Sequence, residues 1–276
     1  MTSYKARGNI RSHIILGLWS LVVLFPLWIM VINSFKDRLS IYQNPFALPQ
    51  VWNVSNYLAV LRDGDFLGYF KNSFTAVLLS LAILLIVSAF AGYALANMRG
   101  PVSRGLYFFF IAGMMVPIKI GSIKIIEIIR SLGLLNTVWS LIPIYVAMGI
   151  PVGVFILTEF IRQIPRELTE AGIIDGAGSL RVFTLIIAPL LRPALSMVAI
   201  YHLVPFWNDL WFPLIFITED RSKTVLLGVT RLFGQYQTDW SKVLAVLTLS
   251  AVPVIGLYLF MSRQFIRGLT AGAVKG

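Results

Sequence analysis

Six stretches of this chain are apolar for long enough to cross a lipid bilayer, and that property restricts the fold more than any other. A helix needs about 20 residues to traverse about 30 Å of hydrocarbon. The first stretch, Ile14–Ile32 (IILGLWSLVVLFPLWIMVI), carries no charge at all. The second is Phe74–Leu95. The third, 106–126, opens as LYFFFIAGMMVPI, meets Lys119, and must lean on KIGSIKIIEII or break at Pro117. Val138–Leu157, Ala194–Ile217 and Val243–Met261 complete the set. Hydrocarbon offers backbone groups no water, so such spans satisfy their hydrogen bonds internally as helices. The expectation is an all-α polytopic membrane protein, with a single transmembrane domain over residues 1–276.

Composition agrees. Hydrophobic residues make up 58% of the chain and charged residues 13%, against about 45–50% and about 25% in soluble domains. A soluble enzyme with one basic face is therefore a poor fit. The net charge of +11 is expected to flank spans and meet anionic lipid, not nucleic acid. Cysteine is absent, which removes disulfides, thiol nucleophiles and thiolate metal sites. The basic start MTSYKARGNIRSH followed by an apolar run looks like a signal peptide. That run is too long for a signal core and lacks a small-residue cleavage site, so it reads as a retained first span.

Six spans put both termini on one side of the membrane. Lysine and arginine are nearly even between the two sets of connecting segments, so the short flanks MRGPVSR and SRQFIRG carry the weight. They place both termini, and the segment 158–193, on the cytoplasmic side. The opposite segments, NPFALPQVWNVSNYL and FGQYQTDW among them, are rich in Asn, Pro and aromatics. They suit interfacial anchoring or contact with a solute or partner.

The segment 158–193 contains the polar stretch ELTEAGIIDGAG at 167–178, then PLLRP at 189–193. Pro165 suits a first helical turn, and Glu167 and Glu170 complement the positive end of a helix dipole. RELTEAGIIDGA reads as a short helix, broken at Gly178-Ser179, with LRVFTLIIAP starting a second that ends near Pro189. Leu168, Gly172 and Asp175 fall on one face, with Ala171, Ile174 and Gly178 close beside them. Gly172 and Gly176 would each cost a helix about 1 kcal/mol relative to Ala. A helix lying on the membrane surface has no use for that cost, whereas one seated in a cleft needs the clearance.

In this segment the chain resembles the membrane subunits of ATP-binding-cassette importers. Their pattern is Glu-Ala-Ala, three residues, Gly, nine residues, Ile, one residue, Leu-Pro. Here stand Glu170-Ala171-Gly172, Gly176, Ile186 and Ala188-Pro189. Gly172 replaces the usual Ala and Ala188 the usual Leu. NSFTAVLLS…AGYALANMRG, FWNDLWFPLIF, GQYQTDW and the tail QFIRGLTAGAVKG are similar to the carbohydrate branch, maltose-permease type. The likeness covers most of residues 10–276 and is poorest around VPIKIGSIKIIEIIRSLG, which is unusually basic.

The resemblance implies the six-span fold of type I importers in a bacterial inner membrane, with 158–193 as a coupling loop. Glu170, Ala171, Gly172, Asp175, Gly176, Ala177 and Pro189 would dock on an ATPase subunit whose closure rocks the spans. It also implies a second permease of six to eight spans, two ATPase subunits holding ATP and magnesium, and an extracytoplasmic solute-binding protein. The small-residue tail would reach between the ATPase subunits. No G-x-x-x-x-G-K-[ST] loop occurs, so the chain is expected to bind no nucleotide, metal or other cofactor and to be no enzyme.

Polar groups inside spans default to functional hypotheses. His202, Asn208 and Asp209 lie in the fifth span with Trp207 and Trp211, which at helical spacing would share a face. Aromatic faces beside hydrogen-bonding groups suit a sugar. Pro117, Pro143, Pro151, Pro205 and Pro213 read as kinks around a cavity, and Gly149 and Gly153 as a site of close helix packing. The rival readings are the same importer class carrying glycerol phosphate, polyamines or peptides, a secondary transporter or channel using Asp209, and a membrane enzyme.

Overall fold

The computed structural model describes residues 10–63, 65–233 and 238–273, with the side chains of 63 and 261–273 excepted. The described residues are mostly helical, and no β-strand occurs among them beyond one isolated antiparallel bridge, Phe233 to Thr238. The described residues pack as two compact units, one drawn from Met1–Phe66 and Val229–Ala251, the other from Leu67–Gly228 and Val252–Gly276.

The first unit begins with α1 (Ile10–Ser34), whose apolar surface stays uncovered: Trp19 and Leu21 are each 67% exposed. Such a helix is stable only with lipid or another subunit around it, and it keeps Pro26 within its length. Its last turn is anchored by a folded connection. The Asn33 amide donates to the Pro45 carbonyl (2.8 Å), and the Asn56 amide donates to the carbonyls of Ser34 (3.0 Å) and Lys36 (2.9 Å). Lys36 is buried, donates its ammonium to the Asn44 carbonyl at 3.0 Å, and has its pKa lowered by desolvation. Phe35 packs between Trp52 and Tyr57. Two short helices, α2 (Arg38–Gln43), capped by the Asp37 carboxylate, and α3 (Ser55–Asp63), complete this ledge.

The second unit takes up α4 (Phe66–Asn97), α5 (Pro101–Gly113), α6 (Ser122–Ser131), α7 (Leu141–Arg162), α8 (Arg166–Ile174), α9 (Ser179–Val182), α10 (Ala188–Leu190), α11 (Arg192–Trp207), α12 (Trp211–Phe216) and α13 (Val225–Val229). The last helix, α14 (Trp240–Ala273), is divided by the unit boundary. The core gathers Leu84, Leu141, Tyr145, Leu157, Leu203 and Phe206. Glycine sets the approach of α4 and α7. A Cβ at Gly149 would overlap Leu84 Cδ2, and one at Gly153 would stand 2.5 Å from Ser88 Oγ. The expected close packing at this pair is present. Gly113 meets Pro151 in the same way, which seats α5 on α7.

Among the described residues, four helices are long and apolar enough to cross a membrane unbroken: Ile10–Ser34, Phe66–Asn97, Val138–Arg162 and Trp240–Phe260. Two further spans are bent. Pro101–Gly113 and Ile118–Ser131 meet at 83° across the break that Pro117 closes. Ser179–Leu190 and Arg192–Trp207 meet at 70°. The expected fifth span, Ala194–Ile217, is therefore not one helix: it stops at Trp207 and restarts at Trp211. Of the five prolines read as kinks, Pro117 alone stands at a break. Pro151 and Pro205 lie within continuous helices, Pro143 in the first turn of α7 and Pro213 within α12.

Candidate functional site

The polar segment is a structure of its own. Pro165 precedes α8, and Glu167, Glu170 and Ala171 are exposed on it. The helix ends in a Schellman motif, the arrangement in which two amides past the helix satisfy its last carbonyls. Asp175 is the cap residue, the Gly176 amide donates to the Ile173 carbonyl (3.0 Å), and the Ala177 amide donates to the Gly172 carbonyl (2.9 Å). Gly176 has φ +81 and open space around it. Its glycine is required by a left-handed backbone, not by clearance, and it lies outside the helix it was expected to weaken.

Clearance is needed four residues earlier. Gly172 is the buried residue of α8. A Cβ there would stand 2.8 Å from Ile186 Cδ1 and 3.2 Å from Val182 Cγ2. Ile186 belongs to a π-helical turn, Phe183–Ile187, that follows α9. Phe183 in that turn packs against Phe90 (4.6 Å between ring centroids) and Tyr93 (5.1 Å) of α4. Ala177 is half-buried against the core and Pro189 is exposed in α10. With its inner face on Gly172, α8 exposes Leu168 (43%), Ile173 (58%) and Ile174 (85%). That apolar surface on a nine-residue helix, left uncovered by the described residues, is suited to a partner.

A second cluster forms where the two interrupted spans lose their helices. The Asp209 carboxylate accepts the amides of Trp211 (3.1 Å) and Phe212 (3.3 Å), capping α12, and the Tyr145 hydroxyl of α7 at 3.1 Å. Competition from this side chain for backbone amides is why the helix stops, since Asp prefers caps to helix interiors. Trp207 and Trp211 consequently do not share a face. Trp207 is buried with its ring edge-to-face on Phe74, and Trp211 is 42% exposed. The Trp211 indole N–H donates to Ser122 Oγ at 3.0 Å, and Ser122 Oγ donates to the Lys119 carbonyl. The Lys119 ammonium lies 5.6 Å from the centre of the Trp211 ring.

Asn208 is exposed as the cap residue of α11. His202 is buried, its ring stacked on Phe206 at 5.3 Å, and Phe206 in turn stacks on Tyr145 at 4.8 Å. Asp209 and Trp211 are legible as site residues in the sequence; Tyr145, Ser122 and Lys119 join them only in the fold. A lysine following a proline inside an apolar run was the signal for the last of these, since a charge there needs a cavity or a ring. Among the described residues no three His, Asp or Glu side chains gather as a metal site.

Comparison with known proteins supplies the class. The binding-protein-dependent transport system inner membrane component family matches residues 86–267. An ABC transporter permease protein, ORF2, of Caldicellulosiruptor sp. (strain Rt8B.4) is 37% identical over 264 residues, covering 95% of this chain and 96% of its own. The diacetylchitobiose uptake system permease protein of Streptomyces coelicolor is 32% identical over 96% of this chain and 88% of its own. The multiple sugar-binding transport system permease protein of Streptococcus mutans is 33% identical over 96% of each. A crystallised bacterial ABC transporter involved in importing the acidic polysaccharide alginate shares the fold at TM-score 0.80 and 21% identity, covering 96% of this chain and 100% of that one. The chain belongs to the family of binding-protein-dependent transport system inner membrane components.

Proposed function

We propose that this chain is the permease subunit of an ATP-driven importer, forming half of the path for a sugar or oligosaccharide. The observation that carries the reading is α8: a helix held at Gly172, ended by Gly176, and presenting Leu168, Ile173 and Ile174 outward. In this reading α8 seats on a separate ATPase subunit through Glu170, Ala171, Asp175 and the apolar side chains beside them. ATP and magnesium belong to that subunit. A second permease completes the path, and a binding protein delivers the solute to the side opposite α8. Both termini lie on the cytoplasmic side, with α8. The tail assigned to the ATPase contact, residues 264–276, is described only as backbone through Ala273.

The solute is handed past Trp211, whose exposed ring offers a stacking surface, with Ser122, Asn208 and Lys119 as the polar groups nearest it or at the same break. The sugar-importing relatives support the substrate class.

Reconstitution in liposomes of this chain with its co-purifying permease, ATPase and binding protein tests the reading. ATP hydrolysis and uptake are followed with neutral oligosaccharides, uronate oligosaccharides and glycerol phosphate, because Lys119 would also serve an anionic solute. Stimulation by a saccharide is expected. Solute movement by this chain without any ATPase ends the importer reading, and stimulation by glycerol phosphate alone ends the saccharide one.

A further inference from the structure

A polar cavity of about 380 Å³ opens where α4, α7 and α8 converge, away from the cluster around Asp209. The exposed apolar residues of α8, Leu168, Ile173 and Ile174, do not line it. This volume falls within the roughly 300–1,000 Å³ of small-molecule sites. Three arginines line it: Arg99 just past the end of α4, Arg162 in the last turn of α7, and Arg166 at the start of α8. Asn97 and Thr169 add hydrogen-bonding groups to the wall.

The three guanidinium groups are not equivalent. Arg162 is held in place by an ion pair to Glu159 (2.7 Å) and by the Tyr107 ring, 4.6 Å below it. Arg99 and Arg166 form no ion pair among the described residues, so two of the three positive charges have no carboxylate against them. A cation at a helix C-terminus is favoured by the helix dipole, which accounts for Arg99 and Arg162 without any ligand. Arg166 sits at the opposite kind of terminus. It adds positive charge to the positive end of α8. Glu167 and Glu170 offset part of that charge on the exposed side of the helix, but neither lines the cavity or pairs with Arg166 among the described residues. An anion in the cavity would relieve the crowding of the three arginines.

We propose that this cavity binds a phosphate ester, held by Arg99 and Arg166 with Arg162 behind them. Guanidinium forks match phosphate oxygens in bidentate geometry. The cavity lies at the ends of two spans, level with exposed apolar side chains such as Met98, so a lipid headgroup reaches it as readily as a soluble phosphate ester. An occupant would tie the start of α8 to the ends of α4 and α7, the joint through which any movement of α8 must pass.

The full chain, purified in detergent and stripped of lipid, is titrated with short-chain phosphatidylglycerol, short-chain phosphatidylcholine and inorganic phosphate, with bound molecules counted by native mass spectrometry. Phosphatidylglycerol is expected to bind at least tenfold more tightly than phosphatidylcholine. Arg99→Gln with Arg166→Gln should lower that affinity at least tenfold, and Arg166→Lys by less. Arg181→Gln, which removes an exposed charge from α9 outside the cavity, should leave it unchanged. Displacement of phosphatidylglycerol by millimolar phosphate identifies a soluble ester as the occupant; resistance to displacement identifies the lipid. Equal binding by wild type and the double variant, each with native helix content, overturns the proposal. So does a loss in Arg181→Gln as large as in the double variant. Should the double variant lose its fold, Arg166→Lys decides: affinity equal to wild type refutes the site.

Discussion

An atom at the Cβ position of Gly172 would stand 2.8 Å from Cδ1 of Ile186, fourteen positions further along the chain and on the facing π-helical turn. The nearest neighbour is the far end of a flexible side chain, so a methyl group can be admitted by rotating Ile186 while the buried Val182, whose Cγ2 would lie at 3.2 Å, gives by a few tenths of an ångström. Gly172→Ala gains about 1 kcal/mol of helix propensity and costs about 0.5–1.5 kcal/mol for the displaced rotamer. Thermal unfolding in detergent should move little, and the ATPase should still co-purify. Gly172→Leu cannot be admitted and should release α8, seen as new protease cleavage between 163 and 179. Intact protection in the Leu variant would show that α8 is not held here.

Gly176 fails differently. Its φ of +81 costs a residue with a Cβ about 1–2 kcal/mol, with no steric neighbour involved. Gly176→Ala should open the Schellman turn and lower the hydrogen-exchange protection of the Ala177 amide by roughly tenfold, the equivalent of about 1.4 kcal/mol. Gly176→Asn should lose less, because Asn visits the left-handed region. Equal protection in the Ala variant and wild type would remove the backbone argument.

These two glycines mark how far the sequence could be read. Spacing located α8, its ends and its exposed acids, because capping and propensity act within a few residues. Which glycine served space and which served φ depends on Ile186, and that contact exists only once the chain has folded back. The same limit applies to the fifth span. Its hydropathy continues through 217, and only the capping of α12 by Asp209, with Tyr145 arriving from α7, shows that the helix ends at Trp207. The third span shows the converse, because Pro117 and Lys119 announced its break directly.

Gly153 and Ser88 are coupled across the contact of α4 and α7. A Cβ at 153 meets Ser88 Oγ at 2.5 Å and Ser88 Cβ at 3.0 Å. Gly153→Ala should therefore destabilise by about 1–3 kcal/mol as an overpacked site. Ser88→Gly removes both of those atoms, so Gly153→Ala placed in that background should cost much less. A double-mutant cycle read by thermal unfolding checks this, and strict additivity of the two changes would disprove the contact.

The two tryptophans should separate into different phenotypes. Trp207 is buried against Phe74, so Trp207→Ala leaves a cavity and should cost about 3–5 kcal/mol of stability. Trp211 is partly exposed, with its indole N–H on Ser122 Oγ and Lys119 approaching its ring. Trp211→Ala should leave the unfolding temperature nearly unchanged while weakening solute-stimulated ATP hydrolysis in the reconstituted importer at least tenfold. Trp211→Phe keeps the stacking face and loses the N–H, so it should retain a large part of that activity. A Trp211→Ala importer with wild-type stimulation would show that the solute passes elsewhere, and the cluster around Asp209 would then be a helix cap alone.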